Sequence, residues 1–381
     1  MTMTDLPPLI LCNQVGSYPW SVLHDRHPKL IAQVREAHPY PPEVHAALDA
    51  LLAEITGGVV TALAPTAHDS RDWEIFGHLA EYAGRSWYDT PFLWAESYFY
   101  RRLLEATGYF GTGPGASIDP FGPAKEEELA AAVPDLDPAH LLTAALWGNR
   151  GDLGFLASVP GSRDSLRDDD LLVDDTPALL GYLDGHRPTR IGYVADNAGA
   201  EILQDLAFIA QLLRSGLAAA VTLHVKRYPF FVSDATEADA TAALLRLGTF
   251  SGPTRDVLLD AFRERRLAIS AHPLFTGPTG YAEWPEAELA YAFRDCDLAL
   301  FKGDLNYRRL VGDRHWYGTE DFATIVDYFP LPLVALRTVK SEVVVGVPGA
   351  RLRALNSADP GWRLSGRHAM VEARLDRPRP D

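Results

Sequence analysis

The sequence predicts an α/β protein: a mostly helical N-terminal region, residues 1–185, followed by a domain over residues 186–374 built on a parallel sheet. Three observations predict it. Up to about residue 185 amphipathic segments are separated by Pro and Gly, and strand-like runs are scarce. From about residue 187 short apolar runs alternate with helical stretches, as in a βαβ array. Those runs are continuously apolar instead of alternating, which suits strands covered on both faces.

In the N-terminal region, Pro41-Pro42-Glu43 has the composition of a helix start, and Val44, Ala47, Leu48, Leu51, Leu52 and Ile55 follow at helical spacing. The aromatic-dense stretch 86–107 predicts a helix whose rings pack in the core, with Glu96, Arg101 and Arg102 as candidates for a cleft edge. Residues 111–138, rich in Gly, Pro and acidic side chains, are expected to form a loop. Residues 142–153 read as a helix ending in Asn149, Arg150 and Asp152 around Gly148 and Gly151; a glycine there serves as a C-cap, and three convergent polar groups also suit a pocket wall. Asp168-Asp169-Asp170 and Asp174-Asp175 read as a solvated linker face. In the second region the expected strands are 191–195, 219–225, 267–270, 298–301 and 333–337, and the tail 375–381 has nothing to bury and is expected to be disordered.

The chemistry gathers at the strand ends. The first run stops at Asp196-Asn197, and Gly199 then opens a helical pattern with Ile202, Leu203, Leu206, Ile209, Ala210 and Leu213 on one stripe. The second is followed by Asp234, the fourth by Lys302-Gly303-Asp304-Leu305-Asn306-Tyr307-Arg308, and the fifth by Arg337-Thr338-Val339-Lys340. Any one of these alone reads as a helix cap or a surface ion pair. Together they place carboxylates and a carboxamide for a hard divalent cation, and Lys and Arg for a phosphate, where open α/β sheets bind ligands. Gly303 would let the backbone approach an anion closely.

Composition removes other classes. A net charge of -16 opposes nonspecific binding to nucleic acid or to an anionic membrane, so a phosphate must be held by local cations or a metal. The two cysteines, Cys12 and Cys296, lack metal-type spacing. No signal-peptide pattern or membrane-length apolar run is present, and a cytoplasmic location is expected. Gly-x-x-x-x-Gly-Lys-Ser/Thr, Gly-x-Gly-x-x-Gly, Gly-x-Ser-x-Gly and His-x-x-x-His patterns are missing.

The runs Asp196-Asn197-Ala198-Gly199-Ala200-Glu201, Phe231-Val232-Ser233-Asp234, Lys302 to Leu310 and Arg337-Thr338-Val339-Lys340 resemble the damage-control phosphatase family, most closely its subfamily III. The Trp147 to Asp152 turn and the aromatic helix with Glu96 and Arg102 are similar to the family's helical part. The resemblance implies a Rossmann-like α/β/α sandwich joined to a mostly helical N-terminal region, and metal-dependent hydrolysis of small-molecule phosphate esters, typically of sugars. It implies Asp196, Asn197 and Asp234 as ligands of Mn²⁺ or Mg²⁺, with Co²⁺ and Ni²⁺ as further candidates, and Glu201 beside them as a catalytic residue. It implies a phosphate and substrate site drawn from Asn149, Asp152, Lys302, Gly303, Asp304, Leu305, Asn306, Tyr307, Arg308, Arg337 and Lys340. Because the subfamily includes proteins described as acidic-residue methyltransferases, S-adenosylmethionine-dependent carboxyl methylation of protein glutamates is the alternative activity.

Overall fold

The apolar runs pair side by side because each can bury both of its faces only inside a sheet. The computed structural model describes residues 6–132, 141–148, 170–250 and 252–376. Seven strands form one sheet: β1 (Leu171–Asp174), β2 (Thr189–Val194), β3 (Ala218–His224), β4 (Leu267–Ser270), β5 (Leu298–Lys302), β6 (Leu333–Thr338) and β7 (Ala369–Arg374), in the order β1-β7-β6-β5-β2-β3-β4. The five expected strands, β2 to β6, pair in parallel, while β7 runs antiparallel to β6 and carries β1 as the edge.

Side-chain alternation divides the sheet into two cores. Val194, Ala299, Phe301, Leu333 and Ala335 face a cluster that continues into the N-terminal helices. Ile191, Tyr193, Leu298, Leu300, Val334 and Leu336 face the helix Gly199–Arg214. The protein is therefore layered α/β/α, with the helical N-terminal region forming part of one layer.

Two strands escaped the sequence pattern. β1 and β7 carry Asp174, Glu372 and Arg374 and lie on one flank of the sheet. The sheet consequently begins at Leu171, ahead of residue 186. The acidic run is not a solvated face throughout, because the Asp175 carboxylate accepts from Ala373 N–H at 2.9 Å on β7. Leu375 packs against the second core, and residues 377–381 lie outside the described residues.

In the helical region, Pro42–Gly57 forms as its apolar spacing predicts. Phe92–Ala106 buries Trp94, Tyr98, Phe99 and Tyr100. Its charged residues are ion-paired within the protein: Arg101 grips Asp69 through two bonds of 2.7 Å, Arg102 pairs with Glu54 and Glu96 with Arg308. The expected loop 111–138 instead contains the helix Gly122–Ala131, where Pro sits in the first turn and costs no hydrogen bond. No helix among the described residues is long and apolar enough to cross a membrane.

Candidate active site

The strand order makes β2 the switch point: the chain moves from β2 to β3 and β4 on one side and returns to β5 on the other. Ala195-Asp196-Asn197 leaves β2, Lys226 to Asp234 follows β3, and Gly303-Asp304 follows β5. Three strand ends thus converge on one crevice.

The β2 and β3 ends are stitched together by backbone. Ala198 N–H donates to the Ser233 carbonyl at 2.7 Å and Ala235 N–H to the Asp196 carbonyl at 2.8 Å, making a bridge between Asn197 and Asp234. Just before it, Phe231 and Val232 adopt φ of 44° and 69°. Left-handed backbone is a genuine outlier for a β-branched residue and persists only where surrounding contacts impose it. Here it brings Asp234 beside Asp196. From the other side Gly303, at φ 88°, closes over Asp196: a Cβ on it would fall 2.0 Å from the carboxyl carbon. Any other side chain here would have to displace the Asp196 carboxylate.

The polar side chains interlock. Asn197 Nδ2 donates to Asp196 Oδ2 at 3.0 Å and to Glu201 Oε2 at 2.8 Å, while its Oδ1 accepts from the Ser233 hydroxyl at 2.6 Å. Asn306 Nδ2 donates to the carbonyls of Ala195 (3.1 Å) and Lys302 (2.8 Å), tying β2 to β5, and its Oδ1 accepts from Tyr281 and Lys226. Lys226 also pairs with Asp234 at 3.4 Å. Lys302 Nζ reaches Asp205 at 2.8 Å, Glu201 at 3.1 Å and the Ala145 carbonyl. Those three acceptors use all three donors of the ammonium.

Carboxyl groups crowd this shell. Asp196, Asp234, Glu201 and Asp205 are at most 5% exposed, and the ammonium groups buried among them are those of Lys226 and Lys302. Among the described residues four carboxyl groups face two buried ammonium groups, and the partly exposed Lys340 adds a cation that acts on Asp196. Burial, then Glu201 and Asp234, push the Asp196 carboxyl well above the ordinary carboxylate range. Burial likewise raises Asp205 to about 6, against the pull of Lys302. Burial opposes charge on Lys302, yet Asp205 and Glu201 outweigh it and hold its pKa above the usual lysine value.

The expected cation ligands Asp196, Asn197 and Asp234, with Glu201, Gly303 and Asn306, are therefore brought together. Among the described residues no three His, Cys, Asp or Glu side chains form a ready-made cage. The available oxygens come from two carboxylates and a carboxamide, the donor set of a hard divalent cation that retains waters.

Asp304 forms a second group with the C-terminal end of β6. It accepts from Lys340 N–H at 3.1 Å and the Ser341 hydroxyl at 3.2 Å, and pairs with Arg337. Other residues expected at the phosphate are placed as support. Lys302 is enclosed by its three acceptors; Leu305 is in the core; Arg308 is fixed by Glu96 at 2.9 Å and Asp313 at 2.7 Å. Tyr307 donates to Glu372 at 2.6 Å, and Arg337 lies over the Tyr307 ring. Asn149 and Asp152 lie outside the described residues.

Sequence reasoning left Lys226, Asp205 and Ser233 without roles. Asp205 had a signal: it follows Glu201 by four residues, so both carboxylates share a face of a helix buried along most of its length.

Burial raises Glu372 to about 8, with Tyr307 and Arg337 pulling the other way. A raised acid contributes stability fully below its unfolded value of about 4.3 and loses it as pH rises through the folded value. Wild-type protein should therefore lose stability between about pH 4 and 8, and Glu372→Gln should flatten that decline and melt higher above pH 8. Parallel melting curves for the two proteins across this range would assign the decline elsewhere.

A cavity of about 770 Å³ is bordered by Tyr18, Arg26, Lys29, Phe121, Glu127 and Val232. Val232, two residues before Asp234 in the strained turn, is the lining residue that links this cavity to the ligand loop. Arg26 ends a π-helical turn, Val22–Arg26, a rare geometry frequent at functional sites.

Comparison with known proteins gives a consistent picture. A family model described as the damage-control phosphatase ARMT1-like domain matches residues 22–355. Damage-control phosphatase ARMT1 of Danio rerio is 31% identical over 373 residues, covering 82% of this chain and 81% of that protein. The Mus musculus protein of the same name is 28% identical over 437 residues, covering 97% and 99%. That of Xenopus laevis is 29% identical over 333 residues, covering 75% of each.

Proposed function

The chain belongs to the damage-control phosphatase ARMT1-like domain family, and from that premise we propose that it is a divalent-metal-dependent phosphatase of small phosphate monoesters, sugar phosphates among them. The observation that carries this is the crowding of carboxyl groups in the buried shell. Carboxyl groups crowded and buried in this way are costly to ionise without a cationic partner, and a divalent cation bound among them would remove that cost. Asp196, Asn197 and Asp234 would hold it, and Asn197 would turn its Oδ1 to the metal while Ser233 and Glu201 fix the amide plane. When bound, the ion supplies a Lewis acid for a phosphoryl oxygen and lowers the pKa of a bound water.

The chain's own residues do the rest. Lys302 pairs with both Glu201 and Asp205 and so holds these two side chains in place. Gly303 holds the β5 end against Asp196 and begins a helix at Asp304, whose first amides point toward an anion. Lys340 brings a cation close enough to act on Asp196, while the Arg337 charge is met by Asp304. The cavity lined by Val232 takes the leaving group, with Tyr18 and Arg26 on its wall offering a hydroxyl and a guanidinium to sugar oxygens.

The test is phosphate release by metal-stripped protein from a panel of sugar phosphates and p-nitrophenyl phosphate, with and without Mn²⁺, Mg²⁺, Co²⁺ or Ni²⁺. Release that depends on added metal is expected. Equal release in chelator would remove the metal from the mechanism, and silence with every metal and substrate would refute the phosphatase assignment.

A further inference from the structure

The helix Gly122–Ala131 belongs to the N-terminal region, yet it touches both loops that carry the candidate cation ligands. Lys125, 2% exposed, donates to Asp119 at 2.9 Å, to Asp239 at 3.1 Å and to the backbone carbonyl of Asp234 at 3.0 Å. Two carboxylates take two of the ammonium's three donors, and the third goes to the ligand loop itself. Three residues on, Glu128 sits against Gly199, the first residue of the helix that follows Asp196-Asn197. A Cβ on Gly199, at φ 66°, would fall 2.2 Å from the Glu128 carboxylate oxygen. A carboxylate at a helix N-terminus is favourable. Lys125 and Glu128 share a helix face, so one rigid element fixes the β3 loop and the β2 turn at once.

We infer that Lys125 is a positioning residue that sets the divalent-cation affinity of the Asp196/Asn197/Asp234 site from outside the α/β layer. The inference rests on the metal site proposed above. Asp234 carries a side chain toward the cation and a carbonyl toward Lys125; releasing the carbonyl lets the strained Phe231-Val232 turn relax, and the ligand moves with it. Asp239 extends the linkage, because the same carboxylate that meets Lys125 caps the helix Glu237–Leu247 through Thr236.

The experiment uses the full-length, metal-stripped chain and follows Mn²⁺ binding by calorimetry together with hydrogen exchange. Lys125→Met and the double variant Lys125→Met/Asp119→Asn are compared with wild type; the double variant removes a carboxylate that the single one strands. Mn²⁺ affinity should fall about tenfold or more, the effect of losing a residue that orients ligands. The amides of Ala198 and Ala235, which join the two loops, should exchange faster while β5 and β6 amides stay protected. Arg102→Met, which breaks a pair in the same region, should cost stability and leave Mn²⁺ affinity unchanged.

Folded Lys125 variants with wild-type Mn²⁺ affinity and unchanged exchange at Ala198 and Ala235 overturn the inference, as does equal loss of affinity in Arg102→Met. Wild type that binds no Mn²⁺ overturns the metal reading itself, and this inference with it.

Discussion

Asp196→Asn should abolish metal-dependent phosphate release while making the metal-free protein more stable. The substitution keeps the shape of the side chain and takes one ionisable carboxyl out of the crowded buried shell. Without metal, Asp196 is crowded by Glu201 and Asp234, and neutralising it relieves that repulsion. With metal, the loss of an anionic ligand removes part of a term worth several kcal/mol to transition-state charge, or about a thousandfold in rate. The two effects carry opposite signs, the pattern of a site that trades stability for activity. Thermal melts in chelator at pH 8 and phosphate release with saturating Mn²⁺ measure them separately. A variant that melts below wild type in chelator would contradict that crowding; one retaining a tenth of the activity would remove Asp196 from the site.

Some of this was legible in the chain and some was not, for physical reasons. The five central strands announce themselves because burial on both faces demands continuous apolar runs, and polar residues at their ends then stand out: Asp196-Asn197 after β2, Gly303-Asp304 after β5. β1 and β7 were hidden because one flank of the sheet tolerates Asp174, Glu372 and Arg374. The helix Gly122–Ala131 was hidden by its composition: Gly and Pro at its start and three consecutive glutamates look like solvent-exposed loop, while Lys125 within it is buried. Lysines were the hardest to place. A strand-end Lys followed by Gly suggests an anion contact, and only the fold reveals that the Lys302 ammonium is surrounded by Glu201, Asp205 and a carbonyl. Asp205, the residue that decides this, sits on a helix one turn past Glu201, where the apolar stripe around it suggested only packing.

That distinction yields the second large effect. Lys302→Met should destabilise the metal-free protein by about 3–5 kcal/mol, because removing one partner of a buried ion pair strands the other charges. For a chain of this length the loss amounts to roughly 5 °C in melting temperature. Lys302 is fully buried, and so is Asp205, so no solvent screens the stranded carboxylates. Met fills similar volume, which confines the change to charge. Lys302→Met/Asp205→Asn should recover a substantial part of the loss, since it removes one stranded charge and leaves the amide able to accept from Tyr193, whose hydroxyl lies 2.8 Å from Asp205. A lysine that bound phosphate directly would behave differently: its removal would raise the inhibition constant of inorganic phosphate with little change in melting. Melting curves of the single and double variants, together with phosphate inhibition wherever folded protein remains, tell the two apart. Unchanged melting with weakened phosphate binding would return Lys302 to the substrate; a large melting loss recovered by Asp205→Asn fixes it as the counter-charge of the carboxylate shell.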